Sequence, residues 1–366
     1  MSFLVLLLMM IGKKVNLSDR LILQQTLNQG DSNNILSLLT RIFKYTIFFE
    51  LIGAILLSTV FVPQFGVKRG IFYSVFHSIS AFCNAGIDIL GNNSFMNYGN
   101  NVIVSLTIMF LIIIGGLGFT VWVDIANGIR KKIKEKLSCK KMIKELTLHT
   151  KIVVIITLIL LISGTIFIYF LEYNNITTMA RDSVGGKLLK SAFQSTTLRT
   201  AGFATINQNE MTTVSKLISI CYMFIGGSPG STAGGIKTVT SLIVVMLVIT
   251  CIKDREKLHI FKKNIPESIV RRAIAVFAIS IFIVIFATIA LLLSETFVKD
   301  NLISADLASL YTISFMDVIF EVVSAFATVG LTLGITPSLS FIGKIIIILL
   351  MFIGRLRTND NIYSLI

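Results

Sequence analysis

Apolar runs alternate with short basic segments along this chain. Runs long enough to cross a bilayer, about 20 residues each, lie near 43–62, 101–126, 151–171, 236–252 and 270–296, and each is predicted to form a spanning helix. A buried soluble core does not need that many. Short amphipathic stretches sit between some of the runs, so the spacing reads as helix, connecting loop, helix.

Three of the connecting stretches are alike. They read SAFCNAGI at 80–87, TTLRTAGF at 196–203 and SAFATVGL at 324–331. Each has a hydroxyl residue, a large apolar residue two places on, then Asn or Thr, a small apolar residue, Gly and a hydrophobic. Gly86, Gly202 and Gly330 recur at intervals of about 120 residues, the sign of a repeated unit. The organisation that follows is the end of a first unit with its linker at 1–42, then units at 43–135, 150–255 and 268–366. Gly12-Lys13-Lys14 matches the end of the second unit at 128–132, so the loop of the first unit is expected to precede Met1. The last unit is expected to stop short after Arg355.

A cation crossing a bilayer must exchange its hydration shell for protein oxygens, and a ring of backbone carbonyls supplies them without net charge. Glycine suits such a ring because it has no Cβ and reaches backbone angles closed to other residues. Irregular backbone at membrane depth survives only where it lines a cavity or is buried in protein. The carbonyl-bearing positions are therefore assigned to Asn84, Ala85, Gly86 and Ile87, to Thr200, Ala201, Gly202 and Phe203, and to Thr328, Val329, Gly330 and Leu331. One such match would suit small residues at a helix packing surface. Three at equivalent places favour an ion filter.

The second apolar run of the third unit is interrupted by Gly226, Gly227, Pro229, Gly230, Gly234 and Gly235. Proline removes a donor and clashes with the preceding turn, and each interior glycine costs about 1 kcal/mol. A broken helix is predicted there. A phosphate-binding GxxxxGK[ST] loop is excluded because Ile236 separates Gly235 from Lys237. Ionisable residues inside spans are costly and usually paired or functional. Arg199 lies in a filter segment, and Asp317 and Glu321 lie one helical turn apart, so an Arg199–Glu321 pair is expected to support the filter from behind.

Composition fits this picture. The chain of 366 residues is 54% hydrophobic and 14% charged, with a mean hydropathy of +0.84, outside the range of soluble domains. Its net charge of +14 is gathered in basic stretches at 130–151 and 253–272. Alternate loops are nearly free of Lys and Arg, which assigns the basic ones to the cytoplasm. No groove-reading motif accompanies the charge, so nucleic acid is not an expected partner. Cys83, Cys139, Cys221 and Cys251 show no CxxC spacing and the three histidines are scattered, which argues against a disulfide framework or a zinc site.

The stretches LRTAGF, SAFATVGL and GGSPGSTAGG resemble the Trk/Ktr/HKT superfamily of potassium-uptake membrane subunits, most of all the Ktr B type, over nearly the whole chain. The resemblance implies an all-α integral membrane protein, multi-pass in the cell membrane, with fused helix–pore-loop–helix repeats around a pseudo-fourfold pore. Three repeats are recognisable and the first is missing. It implies potassium conduction without enzymatic chemistry or a covalent cofactor, with sodium as a candidate activator. It makes 226–235 a mobile intramembrane gate, sets Arg355 facing the pore beside it, and puts Lys237 either nearby or snorkelling toward the cytoplasm. It further implies a homodimer on a cytosolic ring of nucleotide-binding, RCK-type regulatory subunits. Membrane lipids are the other expected partner of the basic loops. A secondary cation transporter or sodium-coupled symporter with broken helices is the alternative, and a non-conducting scaffold is the third reading.

Overall fold

The computed structural model describes residues 35–91, 93–136, 138–255, 257–261, 263–300 and 314–356. The expectations for Gly12-Lys13-Lys14 and for the segment after Arg355 begin or lie outside them. Among the described residues are twelve α-helices and one two-stranded antiparallel hairpin, His259–Ile260 with Lys263–Asn264.

The second unit begins with α1 (Ile35–Phe65), which ends at Gly66, a residue held at φ 77° where glycine is favoured. The chain then folds back as α2 (Val67–Phe82). Gly70 makes that return possible, since a Cβ there would lie 2.5 Å from Val62 Cα. Asn101 caps α3 (Val102–Leu117) by accepting from Val104 N at 3.1 Å, a contact of about 1 kcal/mol. The 101–126 run does not continue as one span. Gly118, at φ 94°, breaks it, and α4 (Phe119–Glu135) leaves at 97° to α3.

The short helix α5 (Cys139–Glu145) leads to the third unit. Its helices are α6 (Leu148–Glu172), α7 (Val184–Thr197), α8 (Thr213–Phe224) and α9 (Thr238–Ile252), the first three capped by the side chains of Thr147, Ser183 and Thr212. The predicted break falls between α8 and α9. The fourth unit has α10 (Glu267–Asp300), α11 (Phe315–Ala327) and α12 (Phe341–Leu356), with Ser314 and Asp317 forming a capping box on α11.

Three described helices, α1, α6 and α10, are long and apolar enough to cross a membrane, and the bent pair α3 with α4 makes up to four. Only 22 to 28% of their apolar windows is buried. Ile55, Phe170 and Phe282 are 64, 73 and 69% exposed on their outer faces. Apolar surface on that scale is solvated by lipid and not by water. The fold is thus an all-α membrane protein. Inside, the units interlock, because Phe193, Ala201 and Phe203 of the third unit belong to the core of the second. Phe203 meets Phe95 edge to face at 5.1 Å.

Candidate ion pathway

Within three residues of the end of each short helix, α2, α7 and α11, comes a residue with left-handed backbone. Asn84 (φ 49°), Thr200 (φ 69°) and Thr328 (φ 53°) hold this conformation, and the glycine two places on repeats it, Gly86 at 67°, Gly202 at 92° and Gly330 at 88°. A non-glycine residue in this region costs about 1–2 kcal/mol, so three equivalent instances mark an imposed geometry. It is imposed by the helix ends. Ala85, Ala201 and Val329 donate their N–H to Ser80, Thr197 and Ser324 carbonyls at 2.9, 3.0 and 2.8 Å.

The hydroxyls of the same three residues close the far side of each loop. Ser80, Thr197 and Ser324 donate to the carbonyls of Ile87, Phe203 and Leu331 at 2.7, 2.7 and 2.6 Å. In the third unit the closing hydroxyl is Thr197, one place later than the repeat pattern sets it. The fourth carbonyl of each assigned set is therefore tied to the protein. No donor among the described residues reaches the carbonyls of Asn84, Ala85 and Gly86, of Thr200, Ala201 and Gly202, or of Thr328, Val329 and Gly330. The side-chain oxygens Asn84 Oδ1, Thr200 Oγ1 and Thr328 Oγ1 are also buried without partners.

The three loops meet. A Cβ on Gly86 would lie 2.2 Å from Ala201 O, and one on Gly202 would lie 2.5 Å from Val329 O and 3.2 Å from Gly86 Cα. Gly330 faces Gly202 alone within 4 Å. Gly202 thus stands between the other two, and among the described residues the side between Gly86 and Gly330 is open, with Ile87 60% exposed.

A third polar side chain on each short helix braces the segment beyond the glycine. His77 Nε2 accepts from Ile89 N at 3.3 Å. Gln194 and Gln208 exchange hydrogen bonds at 2.6 and 3.0 Å. Glu321 accepts from Thr332 Oγ1, from Leu333 N at 3.2 Å and from Thr336 Oγ1 at 3.0 Å. Glu321 is consequently not the partner of Arg199: its oxygens are occupied within its own loop. Arg199 is buried, its Nε and Nη2 lack partners, and it lines a cleft with Ile112, Ile113, Gly116, Thr196 and Gly227.

The glycine-rich segment lies directly against the loops. Its neck is closed by Gly226 N to Ile236 O at 2.9 Å and Thr238 N to Gly227 O at 3.1 Å, with Ile225 and Ile236 bridging in parallel. Gly226 must lack a Cβ, which would sit 1.9 Å from Gly234 O. At the tip, Thr232 Oγ1 accepts from Asn84 Nδ2 at 3.2 Å and lies 3.2 and 3.1 Å from the carbonyls of Phe82 and Gly115. A Cβ on Gly234 would lie 2.0 Å from Thr328 Oγ1. Ser228 donates to Gly116 O at 2.8 Å and also contacts Leu117 O, and Gly230 O accepts from Phe119 N at 3.0 Å. Pro229 O faces Gly118. Lys237 is 2% exposed and donates to Ala233 O at 2.7 Å, so it stays inside the segment and does not snorkel. Arg355 is exposed on α12.

Gly115, Gly118, Ser228 and Thr232 are site residues that the sequence reading missed. A signal existed. Ile-Gly-Gly at 114–116 and 225–227 matches Ile-Gly-Arg at 353–355. In the structure Gly115 and Gly354 press on the equivalent carbonyls of Phe82 and Phe326, where a Cβ would lie 2.0 and 1.9 Å away.

The chain matches the family model for TrkH, described as a cation transport protein, over residues 1–362. It is 36% identical over 354 residues to the potassium/sodium uptake protein NtpJ of Enterococcus hirae, covering 97% of this chain and 73% of that protein. It is 37% identical over 364 residues to the Ktr system potassium uptake protein B of Bacillus subtilis, covering 100% of this chain and 75% of that protein. The crystal structure of the potassium transporter TrkH from Vibrio parahaemolyticus shares its fold, with a TM-score of 0.68 at 16% identity, covering 94% of this chain and 67% of the other.

Proposed function

This chain belongs to the TrkH family of cation transport proteins, which are not enzymes, and from that premise we propose that it conducts potassium across the cell membrane through the three glycine loops. One observation carries the reading: nine loop carbonyls and three buried side-chain oxygens, at matching positions, have no hydrogen-bond donor among the described residues. Where such an atom is buried, as the three side-chain oxygens are, leaving it unpaired costs about 1–3 kcal/mol, and a dehydrated cation between the loops removes that cost. The names of the relatives support potassium as the ion. Sodium is an activator or competitor at the same oxygens. A fourth loop of the same kind fits the open side of the ring between Gly86 and Gly330.

The 226–235 segment is the gate beneath this filter, with Lys237 holding its shape and Arg355 facing it. The basic stretches at 130–151 and 253–272 lie in the cytoplasm, where a homodimer docks on a nucleotide-binding regulatory ring. The test is flux of radiolabelled rubidium into proteoliposomes, with sodium as competitor. Saturable flux that rubidium and potassium share, and that falls in Gly202→Ser, is expected. Rubidium flux equal to that of empty vesicles overturns the reading. A sodium-coupled symporter is the second reading, favoured by the discontinuity of the inner helices in both the second and third units. Rubidium flux that requires a sodium gradient in fixed ratio selects it.

A further inference from the structure

The bend at Gly118 turns α4 by 97° from α3, and the contacts of α4 say where it goes. Asp124 Oδ2, in mid-helix, accepts from Thr147 N at 3.0 Å and from Thr147 Oγ1 at 2.8 Å. Thr147 caps α6, whose 25 residues extend about 37 Å, more than the hydrocarbon core of about 30 Å. Bonded to the end of a full span and bent 97° from α3, α4 does not continue the direction of α3 and reaches the level at which α6 begins.

Its later turns suit a membrane boundary. Ile129 and Ile133, one turn apart, are 44 and 74% exposed. At 100° per residue, Arg130 and Lys134 flank this stripe on one side and Lys132 on the other, with Lys136 at the left-handed C-cap just beyond the last turn. Lys131 points to the far side, where it pairs with Glu145 at 2.7 Å. A narrow apolar stripe flanked by cations matches the acyl and headgroup layers of an anionic membrane surface.

The other end of α4 touches the gate segment. Phe119 N donates to Gly230 O, Gly118 faces Pro229 O at a distance a Cβ would reduce to 2.6 Å, and Trp122 Nε1 donates back across the bend to Ile114 O at 3.1 Å. We propose that α4 binds anionic lipid headgroups through Arg130, Lys132, Lys134 and Lys136, and that this binding sets the position of the 226–235 segment through the turn at Gly118. The gating half rests on the conducting reading above; the lipid half does not.

Trp122 is the only tryptophan of the chain, so its fluorescence reports the bend directly. The experiment places the protein in nanodiscs of phosphatidylcholine with a rising fraction of phosphatidylglycerol. A saturable change in Trp122 emission is expected. Each cation contributes roughly a fivefold factor near an anionic surface, so the combined variant Arg130→Gln, Lys132→Gln, Lys134→Gln, Lys136→Gln loses the response over the same range. The charge-preserving variant Arg130→Lys, Lys132→Arg, Lys134→Arg, Lys136→Arg keeps it, which separates charge from misfolding. No emission change in the unaltered protein, or an equal change in the Gln variant, overturns the proposal. So does a response that needs an added acidic protein and not the lipid. Rubidium flux in proteoliposomes of the same compositions tests the gating half: an emission change with flux indifferent to lipid overturns the coupling. An emission change with no flux at any composition supports lipid binding while removing the conducting reading.

Discussion

Gly202→Ala tests the filter most sharply, because the structure supplies its control. Gly202 and Gly334 share a left-handed backbone, φ 92° and 93°, so alanine at either adds the same strain of about 1–2 kcal/mol. Their surroundings differ. Nothing lies within 4 Å of a Cβ on Gly334, whereas a Cβ on Gly202 sits 2.5 Å from Val329 O. Ordinary contact begins near 3.5 Å, so that carbonyl must retreat by about 1 Å. Overpacking of this kind costs roughly 1–3 kcal/mol, and half of it spent on ion discrimination lowers the potassium-to-sodium flux ratio by about twofold to tenfold. Rubidium uptake against sodium competition in proteoliposomes measures the ratio, and thermal melting monitors the fold. Gly334→Ala should keep the ratio. If the two variants have the same ratio at matched stability, the carbonyls around Gly202 do not select the ion.

Three further outcomes are expected. Glu321→Ala strands Leu333 N and the Thr332 and Thr336 hydroxyls, at about 1–3 kcal/mol per group; it should lower the melting temperature, and Glu321→Gln, which keeps an acceptor, should recover part of the loss, so equal melting of the two would refute the brace. Asp182, outside the spans, is raised by burial, but hydrogen bonds from Asn100 and Lys190, with Lys190 and Lys187 nearby, outweigh this and hold its carboxyl below the usual value. A depressed folded value means the contact stabilises fully above the ordinary carboxylate range and fades as pH falls through the folded value; the Asp182→Asn variant should lack this acid limb of the melting curve, and an unchanged limb would refute the assignment. The Cys139 thiol is lowered by the hydrogen bond from Lys132 Nζ at 3.0 Å and by that ammonium's charge, so Lys132→Gln should slow maleimide labelling at neutral pH while labelling at high pH stays the same.

The fold was legible where periodicity and repetition coincide. Three loops with Gly86, Gly202 and Gly330 in register could be aligned from residue types alone, and the break at 226–235 announced itself through Pro229 and its glycines. The bend at Gly118 did not, because a lone GGLG in an apolar run is compatible with a continuous helix until another segment presses on it. What forces the bend is the third unit's Pro229 and Gly230, 112 residues or so farther along the chain. The Arg199–Glu321 pair failed for a related reason. Opposite charges suggest a partnership, but the donors nearest Glu321 are neutral: two threonine hydroxyls and a backbone N–H, all supplied by the turn after Gly330. Sequence distance hides such donors, and burial lets them satisfy a carboxylate as well as a cation would.

The contacts of the 226–235 segment fall into two sets, and the difference bears on the gate proposed above. Its neck is made of backbone ladder bonds at 2.9 and 3.1 Å. Its tip is held to other segments by Thr232 N to Gly115 O at 3.3 Å, Ser228 N and Oγ to Gly116 O at 3.1 and 2.8 Å, Phe119 N to Gly230 O at 3.0 Å and Asn84 Nδ2 to Thr232 Oγ1 at 3.2 Å, while the Thr232 hydroxyl has one proton and cannot serve both the Phe82 and Gly115 carbonyls at once. Bonds of these kinds contribute about 0.5–1.5 kcal/mol each, so withdrawing the tip while the neck stays closed costs several kcal/mol, which a bound partner or lipid has to supply. Thr232 also joins the tip to Asn84, whose free Oδ1 belongs to the loop oxygens. Any ion that reorients Asn84 therefore alters the hold on the tip, and any agent that withdraws the tip alters Asn84 by the same free energy. On the proposed reading, ion occupancy of the loops and the position of the tip are one equilibrium read at two places.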